Sequence, residues 1–592
     1  MPPPGQITLS TGARPKDLRR TLRRIFGYML RYKGLLALAL IMTVASNLLA
    51  LIGPRLAGQA IDAIIGPGNV DLPVVWRYAT LMAVFYVLSS IFTYLLDILM
   101  IYISRNVIRT LRQDIFDKLM RLPVRYFDTH MSGDIISKIS YDCDTLNASL
   151  STDLVQVLAS AVTVTGALVM MLQIAPLLVL VFAITVPLSV LVTRFIAKRT
   201  QPLFRTRSQK LGEMNGFVEE MISGQKTLKA YNRQQGAVDD LDDINEGVVG
   251  AYYKAEYYSS ITGPSVNFIN NLSVTLVSVF GALIYMAGGM SVGDISSFVL
   301  YARKFSGPIN EVANIYGELQ SAMAAAERVF RLLDEDIEPE DIANAETLTD
   351  IEGDVRLDAV SFGYLEGKTV LKNLSLHAEP GSLTAIVGPT GAGKTTIINL
   401  LMRFYDIGGG AITVDGKNTR SLTRESLRRA WAMVLQDTWL FRGTIAENLS
   451  YGRPEATREE VIAAAKSVHL HSYIMSLPQG YDTVLTDDAA NISRGQMQLL
   501  TIARAALQDR HMLILDEATS NVDTRTEVRI QQAMRALMQD KTCFVVAHRL
   551  STIRNADKIL VVKDGDVVES GTHTQLMAAR GFYRELYDAQ FS

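Results

Sequence analysis

Cysteine is nearly missing from this sequence: only Cys143 and Cys543 occur among 592 residues. Two thiols so far apart exclude a disulfide scaffold and a cysteine-based zinc site. We expect both to be ordinary thiols in a reducing compartment. The first residues, Met1–Gly5, show no signal-peptide pattern.

An excess of either charge is also missing. The 58 Lys and Arg residues balance 60 Asp and Glu residues, for a net charge of −2 at pH 7. A protein that binds nucleic acid through bulk positive charge needs a basic surplus. The composition therefore predicts no nucleic-acid partner.

Long uncharged stretches are abundant, and nearly all of them lie before residue 315. The third of them is long enough for two membrane spans, with a turn between Gln173 and Pro176. A weaker sixth segment, Ile295 to about Asn310, contains Arg303 and Lys304. Because a bilayer core needs about 20 apolar residues per helix, the pattern predicts six membrane helices within a transmembrane domain at 14–330. The four uncharged stretches are Leu35–Ile52, Tyr78–Leu96, Leu154–Thr193 and Tyr257–Gly293.

Basic residues predict the orientation. They crowd the N-terminal segment and the connections after the second and fourth spans, whereas the alternate connections are nearly neutral. The positive-inside rule places the basic connections in the cytoplasm, and six spans return the chain to that side. We expect residues 1–13 to be disordered and the basic, amphipathic segment from Arg14 to Lys33 to lie on an anionic membrane face.

Helical periodicity continues into both inner connections, so the spans are expected to extend as helices into the cytoplasm. Short contact elements are predicted at the tips, near Gly133–Asp144 and Lys210–Glu220. Charges at membrane depth, at Asp97, Arg303 and Lys304, have two interpretations. They line a polar substrate path, or they form structural pairs and helix extensions outside the lipid.

The pattern changes after the spans. An acidic stretch that contains Pro339 predicts a linker at 331–350. From Ile351 to the end at 592, short β-like runs alternate with helices, which predicts an α/β domain with a largely parallel sheet.

A glycine-rich loop in this second domain has the spacing of a phosphate-binding loop. It follows the β-like run Thr384–Val387 and precedes a helical pattern, which is the context that the motif needs. Glycines let successive backbone N–H groups point at phosphate oxygens, and the positive end of the helix adds to this attraction. Lys394 would reach the β- and γ-phosphates of ATP, and the Thr395 hydroxyl would bind Mg²⁺. The loop comprises Gly388, Pro389, Thr390, Gly391, Ala392, Gly393, Lys394, Thr395 and Thr396.

Two further apolar runs end in polar side chains. Met512–Leu515 precedes Asp516 and Glu517, and Thr542–Ala547 precedes His548. Carboxyl ends of parallel strands are where such sheets bind ligands. Asp516 is predicted to hold Mg²⁺, Glu517 to deprotonate the attacking water and His548 to contact the γ-phosphate.

In these residues the chain resembles a half-transporter of the ABC exporter family from about residue 15 to the end. The resemblance implies a multi-domain membrane protein, with an all-α six-helix transmembrane domain followed by an α/β P-loop ATPase domain. It implies that Tyr364 stacks on adenine. It also implies that Gln436 lies near Mg²⁺ and near the contact with the membrane domain. Segments Leu122–Asp128 and Gly224–Lys229 resemble intracellular helices beside the coupling elements. Its signature motif maps to Ser493, Arg494, Gly495 and Gln496, and its D-loop to Asp523.

The resemblance implies a dimer in which each ATP lies between one chain's phosphate loop and the other chain's signature. Here Arg494 replaces a glycine of the family signature and Ile492 replaces a leucine. In the family, heterodimeric exporters often have one complete ATP site and one weakened site. The subunit that keeps the catalytic glutamate commonly carries an altered signature. This favours a heterodimer with a second half-transporter, although a homodimer remains open.

The implied function is ATP-driven export of a hydrophobic or amphiphilic small molecule (drug, lipid or peptide) across the cytoplasmic membrane by alternating access. Two alternatives remain open at this point, an importer on the same fold and an ATP-gated channel or regulator. The transported substrate is not readable from the sequence.

Overall fold

In the computed structural model, residues 17–66, 69–365, 367–436, 438–485, 492–516, 524–546 and 553–591 are described. The predicted disordered segment 1–13 lies outside these ranges. The chain forms two compact units. One contains the residues up to Arg121 together with His130–Glu335, and the other contains Leu122–Thr129 together with the residues from Asp336 onward.

Long helices build the first unit. A β-hairpin, β1 (Ile64–Gly66) and β2 (Asn69–Val70), joins the second and third of them. Two π-helical turns, Lys138–Asp142 and Ser149–Asp153, make the helix from Ser132 to Ile174 nearly continuous. The helices before residue 335, of which α4 belongs to the second unit and the others to the first, are α1 (Leu18–Met29), α2 (Lys33–Asp62), α3 (Leu72–Leu119), α4 (Val124–Thr129), α5 (Ser132–Ser137), α6 (Cys143–Ala148), α7 (Leu154–Ile174), α8 (Pro176–Ser223), α9 (Gln225–Ala230), α10 (Gln234–Ser260), α11 (Thr262–Met286) and α12 (Val292–Asp334).

Within the described residues, five helical stretches are long and apolar enough to cross a membrane. The predicted turn inside the third uncharged run is confirmed at Ala175, whose extended backbone separates α7 from α8, and Pro176 takes the first helical position. The predicted sixth segment lies on α12, a continuous helix that is not among the five, because Arg303, Lys304 and its polar residues lower its hydropathy. The five are Leu18–Asp62, Leu72–Leu119, Ser132–Ile174, Pro176–Ser223 and Gln234–Met286.

The helices extend beyond membrane length, as predicted. Of the two predicted tips, Gly133–Asp144 coincides with the short α5 and the π-helical turn after it, whereas Lys210–Glu220 lies inside the long α8. Two further short helices, α4 and α9, coincide with the two segments that resemble the family's intracellular helices. Helical periodicity is the same in a short helix and in a long one, so periodicity could not locate the breaks.

The N-terminal helix packs on protein along one face. Its residues Thr21, Ile25 and Met29 are buried, whereas Leu18 and Phe26 are exposed. Both Arg20 and Arg24 pair with Asp334 of α12, at 3.0 and 2.7 Å. The prediction that this basic, amphipathic segment lies on an anionic membrane face stays a prediction.

A buried ion pair joins two helices of the first unit. The Arg328 guanidinium of α12 donates two hydrogen bonds, of 3.0 and 2.6 Å, to the carboxylate of Asp142. The Asp142 side chain is 3% exposed and that of Arg328 is 36% exposed. Bidentate geometry of this kind fixes the relative position of two helices as well as neutralising a buried charge.

The second unit contains two sheets. The larger sheet has the strand order β14-β13-β5-β12-β11-β8, and all its neighbours are parallel except β13 and β14. The smaller sheet, β4-β3-β6-β7, is antiparallel. Apolar cores cover both faces of the larger sheet, as expected for strands that are nearly continuous apolar runs. The strands are β3 (Val355–Phe362), β4 (Leu371–Ala378), β5 (Leu383–Val387), β6 (Gly409–Val414), β7 (Lys417–Asn418), β8 (Trp431–Val434), β9 (Gly443–Thr444), β10 (Val484–Leu485), β11 (Met512–Asp516), β12 (Thr542–Val546), β13 (Lys558–Lys563) and β14 (Asp566–Gly571).

Helices surround this larger sheet. The linker predicted at 331–350 begins inside α12, which ends at Asp334. The helices of the second unit's ATPase part are α13 (Lys394–Leu401), α14 (Arg424–Arg429), α15 (Ile445–Ser450), α16 (Arg458–Ser467), α17 (His471–Ser476), α18 (Arg494–Gln508), α19 (Thr524–Met538), α20 (His573–Ala579) and α21 (Phe582–Phe591).

Candidate nucleotide site

Four parallel strands end at one edge of the larger sheet. The register pairs Val546 of β12 with both Ile386 of β5 and Asp516 of β11, and pairs Leu515 with Val434 of β8. The segments that follow these strands therefore start side by side. This edge is where parallel sheets bind their ligands.

The phosphate-binding loop follows β5 at this edge. Gly393 has a φ of +106°, a backbone conformation that favours glycine, and α13 begins directly after it. Gly388 lies against β13, and a β-carbon there would come within 2.2 Å of the Val562 carbonyl oxygen. The exposed turn Pro389–Gly391 leaves the start of α13 open to an anion.

Lys394 occupies the mouth of this loop. Its ammonium donates hydrogen bonds to the carbonyl oxygens of Gly388 and Pro389, at 2.7 and 3.0 Å. Burial lowers the pKa of Lys394, and the nearby Asp516 carboxylate opposes that shift. A phosphate group at the loop would give the ammonium a charged acceptor in place of two neutral carbonyls.

The two threonines after the lysine differ in environment. Thr395 is exposed, whereas Thr396 is buried and accepts a 3.1 Å hydrogen bond from the Tyr364 hydroxyl. Asn399 of α13 donates to the same Tyr364 oxygen at 3.3 Å. Tyr364, the residue predicted to meet adenine, is thus held against the phosphate-loop helix.

Asp516 and Gln436 lie at the same strand edge. Asp516 ends β11 and is partly buried, and Gln436 follows β8 and is exposed. The predicted catalytic residues Glu517 and His548 follow β11 and β12 in sequence but lie outside the described residues, as does Asp523. Their roles remain predictions from the sequence.

The signature residues form the start of α18. Ser493 is its N-cap in a capping box with Gln496: the Ser493 backbone N–H donates to the glutamine Oε1 at 3.0 Å. Arg494 is the first helical residue, and its side chain is exposed, while Gly495 is buried. Across the described parts of the chain, no hydrogen bond or ion pair joins these residues to the phosphate loop.

Sequence reasoning missed Tyr405, which lies beside Tyr364, the residue predicted to meet adenine. Its ring packs edge-on against Tyr364 and Phe362, with centroids 5.0 and 5.6 Å apart. Its hydroxyl hydrogen-bonds to the carboxylate of Asp128 on α4. Burial raises the pKa of Tyr405, and Asp128 raises it further, so the phenol stays protonated and donates. No spacing motif links residues that lie 277 positions apart.

We expect Tyr405→Phe to loosen α4 while leaving the aromatic contacts with Tyr364 in place. Because the variant loses a hydrogen bond to a carboxylate, α4 should open more often. We expect the backbone amides of Val124–Thr129 to exchange roughly tenfold faster in the full chain. Tyr405→Ala should also weaken ATP binding, because it removes the ring beside Tyr364. Unchanged exchange in the phenylalanine variant, measured by mass spectrometry, would contradict this role for the hydroxyl.

Comparisons with known proteins match both parts of the chain. A family model described as ABC transporter transmembrane region matches residues 36–309, and one described as ABC transporter matches residues 371–520. A bacterial Atm1-family ABC exporter structure with ATP bound is similar in fold. Its TM-score is 0.77, with 30% identity over 95% of this chain and 99% of that chain.

Two curated relatives span most of the chain. A fatty acid ABC transporter ATP-binding/permease protein of Mycobacterium tuberculosis is 46% identical over 523 residues, which cover 88% of this chain and 82% of that protein. An uncharacterized ABC transporter ATP-binding protein of Bacillus subtilis is 42% identical over 581 residues, covering 98% and 96% respectively.

These findings and the geometry define a membrane-embedded, nucleotide-binding transport ATPase. The chain belongs to the ABC transporter family and has the domain organisation of an exporter half-transporter, a transmembrane region followed by one ATPase domain. The resemblance carried by its motifs is therefore confirmed. It couples ATP hydrolysis to transport, it is a multi-pass protein of the cytoplasmic membrane with a cytoplasmic ATPase domain, and it acts as a dimer.

Proposed function

We propose that this protein exports an amphiphile with a fatty acyl chain, using the energy of ATP hydrolysis. The observation that carries the proposal is the open phosphate-loop edge, with Lys394, Asp516 and Gln436 brought together, in a chain that also contains long apolar helices. The fatty acid named for the mycobacterial relative supports the substrate class. We keep 14–330, 331–350 and 351–592 as the proposed membrane domain, linker and ATPase domain.

Each site residue then has a role. Backbone N–H groups of Gly388–Thr396 and the Lys394 ammonium hold the phosphates, and Tyr364 meets adenine. Thr395, Gln436 and Asp516 would hold Mg²⁺: all three offer oxygen atoms at one edge, and few protein oxygens suffice because phosphates complete the shell of this ion. The metal would neutralise charge on the transferred phosphate.

Hydrolysis follows from the residues after the strands. Glu517 would take a proton from the attacking water, and His548 would contact the γ-phosphate. Ser493 at the start of α18 would face the γ-phosphate bound by the partner chain, with Asp523 beside that interface. ATP that bridges two chains favours the closed dimer, and hydrolysis removes the bridge.

We further propose a heterodimer, because of Arg494. An arginine at the first helical position of α18 brings a long side chain to the surface that would approach the partner's ATP, where the family has glycine. A partner with an unaltered signature would complete the site that Glu517 serves. A homodimer is the competing assembly.

The test is ATP hydrolysis by this chain, purified alone in lipid nanodiscs, with Glu517→Gln as the control. Hydrolysis that the substitution abolishes supports the transport ATPase and shows that two copies suffice, which overturns the heterodimer. If the chain alone hydrolyses no ATP, but hydrolysis appears when a half-transporter with an unaltered signature is co-expressed, the result supports the heterodimer. Hydrolysis that Glu517→Gln leaves unchanged would overturn the proposed mechanism.

A further inference from the structure

Two cations lie on α12 at membrane depth, and the described part of the chain gives neither of them a partner. Arg303 is exposed and Lys304 is partly buried. Within the described parts of the chain, neither side chain makes a hydrogen bond or an ion pair. By contrast, Asp294 in the first turn of α12 pairs with Arg55 of α2 at 3.0 Å. Unpaired cations inside a membrane protein therefore need another explanation.

The depth of Lys304 follows from the packing of α12 on α11. Gly281 of α11 lies against Ile295, because a β-carbon at Gly281 would be 3.3 Å from the isoleucine Cγ1. The two helices are joined by a short turn and run antiparallel. Nine residues further along α12, Lys304 is therefore level with about Leu272, near the middle of the uncharged helix Thr262–Met286. Twelve residues, or about 18 Å of helix, separate Lys304 from Val292.

The opposite face of α12 is the one committed to packing. Phe298, Tyr301 and Phe305 are buried in the core of the first unit. The Tyr301 hydroxyl donates to the Leu51 carbonyl oxygen at 2.6 Å, and Phe305 packs edge-on against Phe182. Leu300 and Arg303 are exposed on the other side of the helix, and the partly buried Lys304 lies at the edge between the two sides.

Lipid is a poor environment for these charges. Ionisable side chains at this depth face a polar cavity or a counter-charge rather than hydrocarbon. Asp97, the remaining predicted intramembrane charge, is 19 residues beyond Tyr78, or about 28 Å of helix. It thus lies near the cytoplasmic end of its span, well away from the level of Lys304.

We propose that Arg303 and Lys304 line the transport path and bind the carboxylate of a long-chain fatty acid. The inference rests on the proposed function and names the head group that this path selects. An acyl chain needs only apolar surface, whereas its carboxylate needs a cation once it leaves water. Two adjacent cations, about 18 Å of helix beyond Val292 and unpaired within the described parts of the chain, supply that cation.

The experiment measures stimulation of ATP hydrolysis in phosphatidylcholine nanodiscs, with the second half-transporter present if the chain needs it. Palmitate and the uncharged hexadecanol are the two probes. We expect stimulation by palmitate and little by hexadecanol. Lys304→Gln should raise the half-saturating palmitate concentration roughly tenfold, the effect of one lost charge-assisted contact. Lys304→Arg should retain the response.

Lys198→Gln is the matched control, since Lys198 is an exposed lysine of α8 and its charge change is the same. Wild-type stimulation by palmitate that Lys304→Gln leaves unaltered would overturn the inference and leave the exporter intact. Equal stimulation by hexadecanol would also overturn it. Stimulation by phosphatidylglycerol that depends on Lys304 would show that a lipid phosphate is the ligand and would overturn the carboxylate assignment.

A structural ion pair across the dimer is the competing explanation. It predicts that Asp97→Asn loses the palmitate response as Lys304→Gln does, and that the double variant regains it. Our proposal expects a normal response in Asp97→Asn. If palmitate fails to stimulate ATP hydrolysis by the wild type itself, that result would instead contradict the proposed function.

Discussion

Replacing Lys394 with alanine is expected to lower ATP hydrolysis at least about 100-fold, the scale of losing one preorganised charge at a phosphoryl-transfer site. In the structure the ammonium lies at the mouth of the loop, where it donates hydrogen bonds to two carbonyl oxygens. A bound triphosphate would replace these neutral acceptors with charged ones. The variant should therefore lose nucleotide affinity as well as turnover.

A fluorescent ATP analogue measures the affinity, and phosphate release measures the turnover. Lys541→Ala is the matched control, because the Lys541 ammonium also bonds to a carbonyl oxygen, that of Arg510, and pairs with Asp509 at 2.8 Å. It is expected to bind and hydrolyse ATP normally. Wild-type nucleotide affinity in Lys394→Ala would mean that the loop holds phosphate through its backbone alone.

The ion pair between Arg328 and Asp142 should produce the largest effect on stability. Arg328→Met leaves a carboxylate that is 3% exposed without its cation. Breaking a buried pair in this way costs about 3 kcal/mol. We expect the melting temperature of the protein in nanodiscs to fall by several degrees.

A neighbouring arginine provides the control. Arg331 pairs with Glu327 on the surface of α12 at 3.3 Å, and its side chain is 64% exposed. Because exposed pairs contribute about 0–1 kcal/mol, Arg331→Met should melt nearly as the wild type does. The double variant of Arg328→Met with Asp142→Asn should regain much of the lost stability, since no uncompensated charge remains. Equal melting of the two arginine variants would show that the buried pair contributes little.

The two predictions test different properties of the chain. Lys394→Ala should lose ATP hydrolysis while the protein stays folded. Arg328→Met should destabilise the helical unit and leaves the phosphate-binding loop unchanged. A transporter that is folded but silent can therefore be told apart from one that is unstable. This distinction matters for the palmitate experiment, in which a merely destabilised variant would look like a weak binder.

The sequence by itself determined the features that local chemistry dictates. Glycine spacing before Lys394 predicted the phosphate loop because a tight backbone turn at a helix start has few other solutions. Uncharged runs predicted the spans, and the run Met512–Leu515 predicted a strand ending at Asp516, since burial on both sides of a sheet demands apolar residues. The turn at Ala175 followed from Pro176.

Tertiary structure alone decided the contacts between distant segments. Arg328 and Asp142 are 186 positions apart, and Tyr405 and Asp128 are 277 apart. No periodicity records such pairs, because each side chain is compatible with many partners until the helices pack. The same reason explains the position of α1, whose Arg20 and Arg24 pair with Asp334 at the end of α12. It also explains Lys304: the sequence placed it in a span, and only packing showed that it lacks a partner within the described chain.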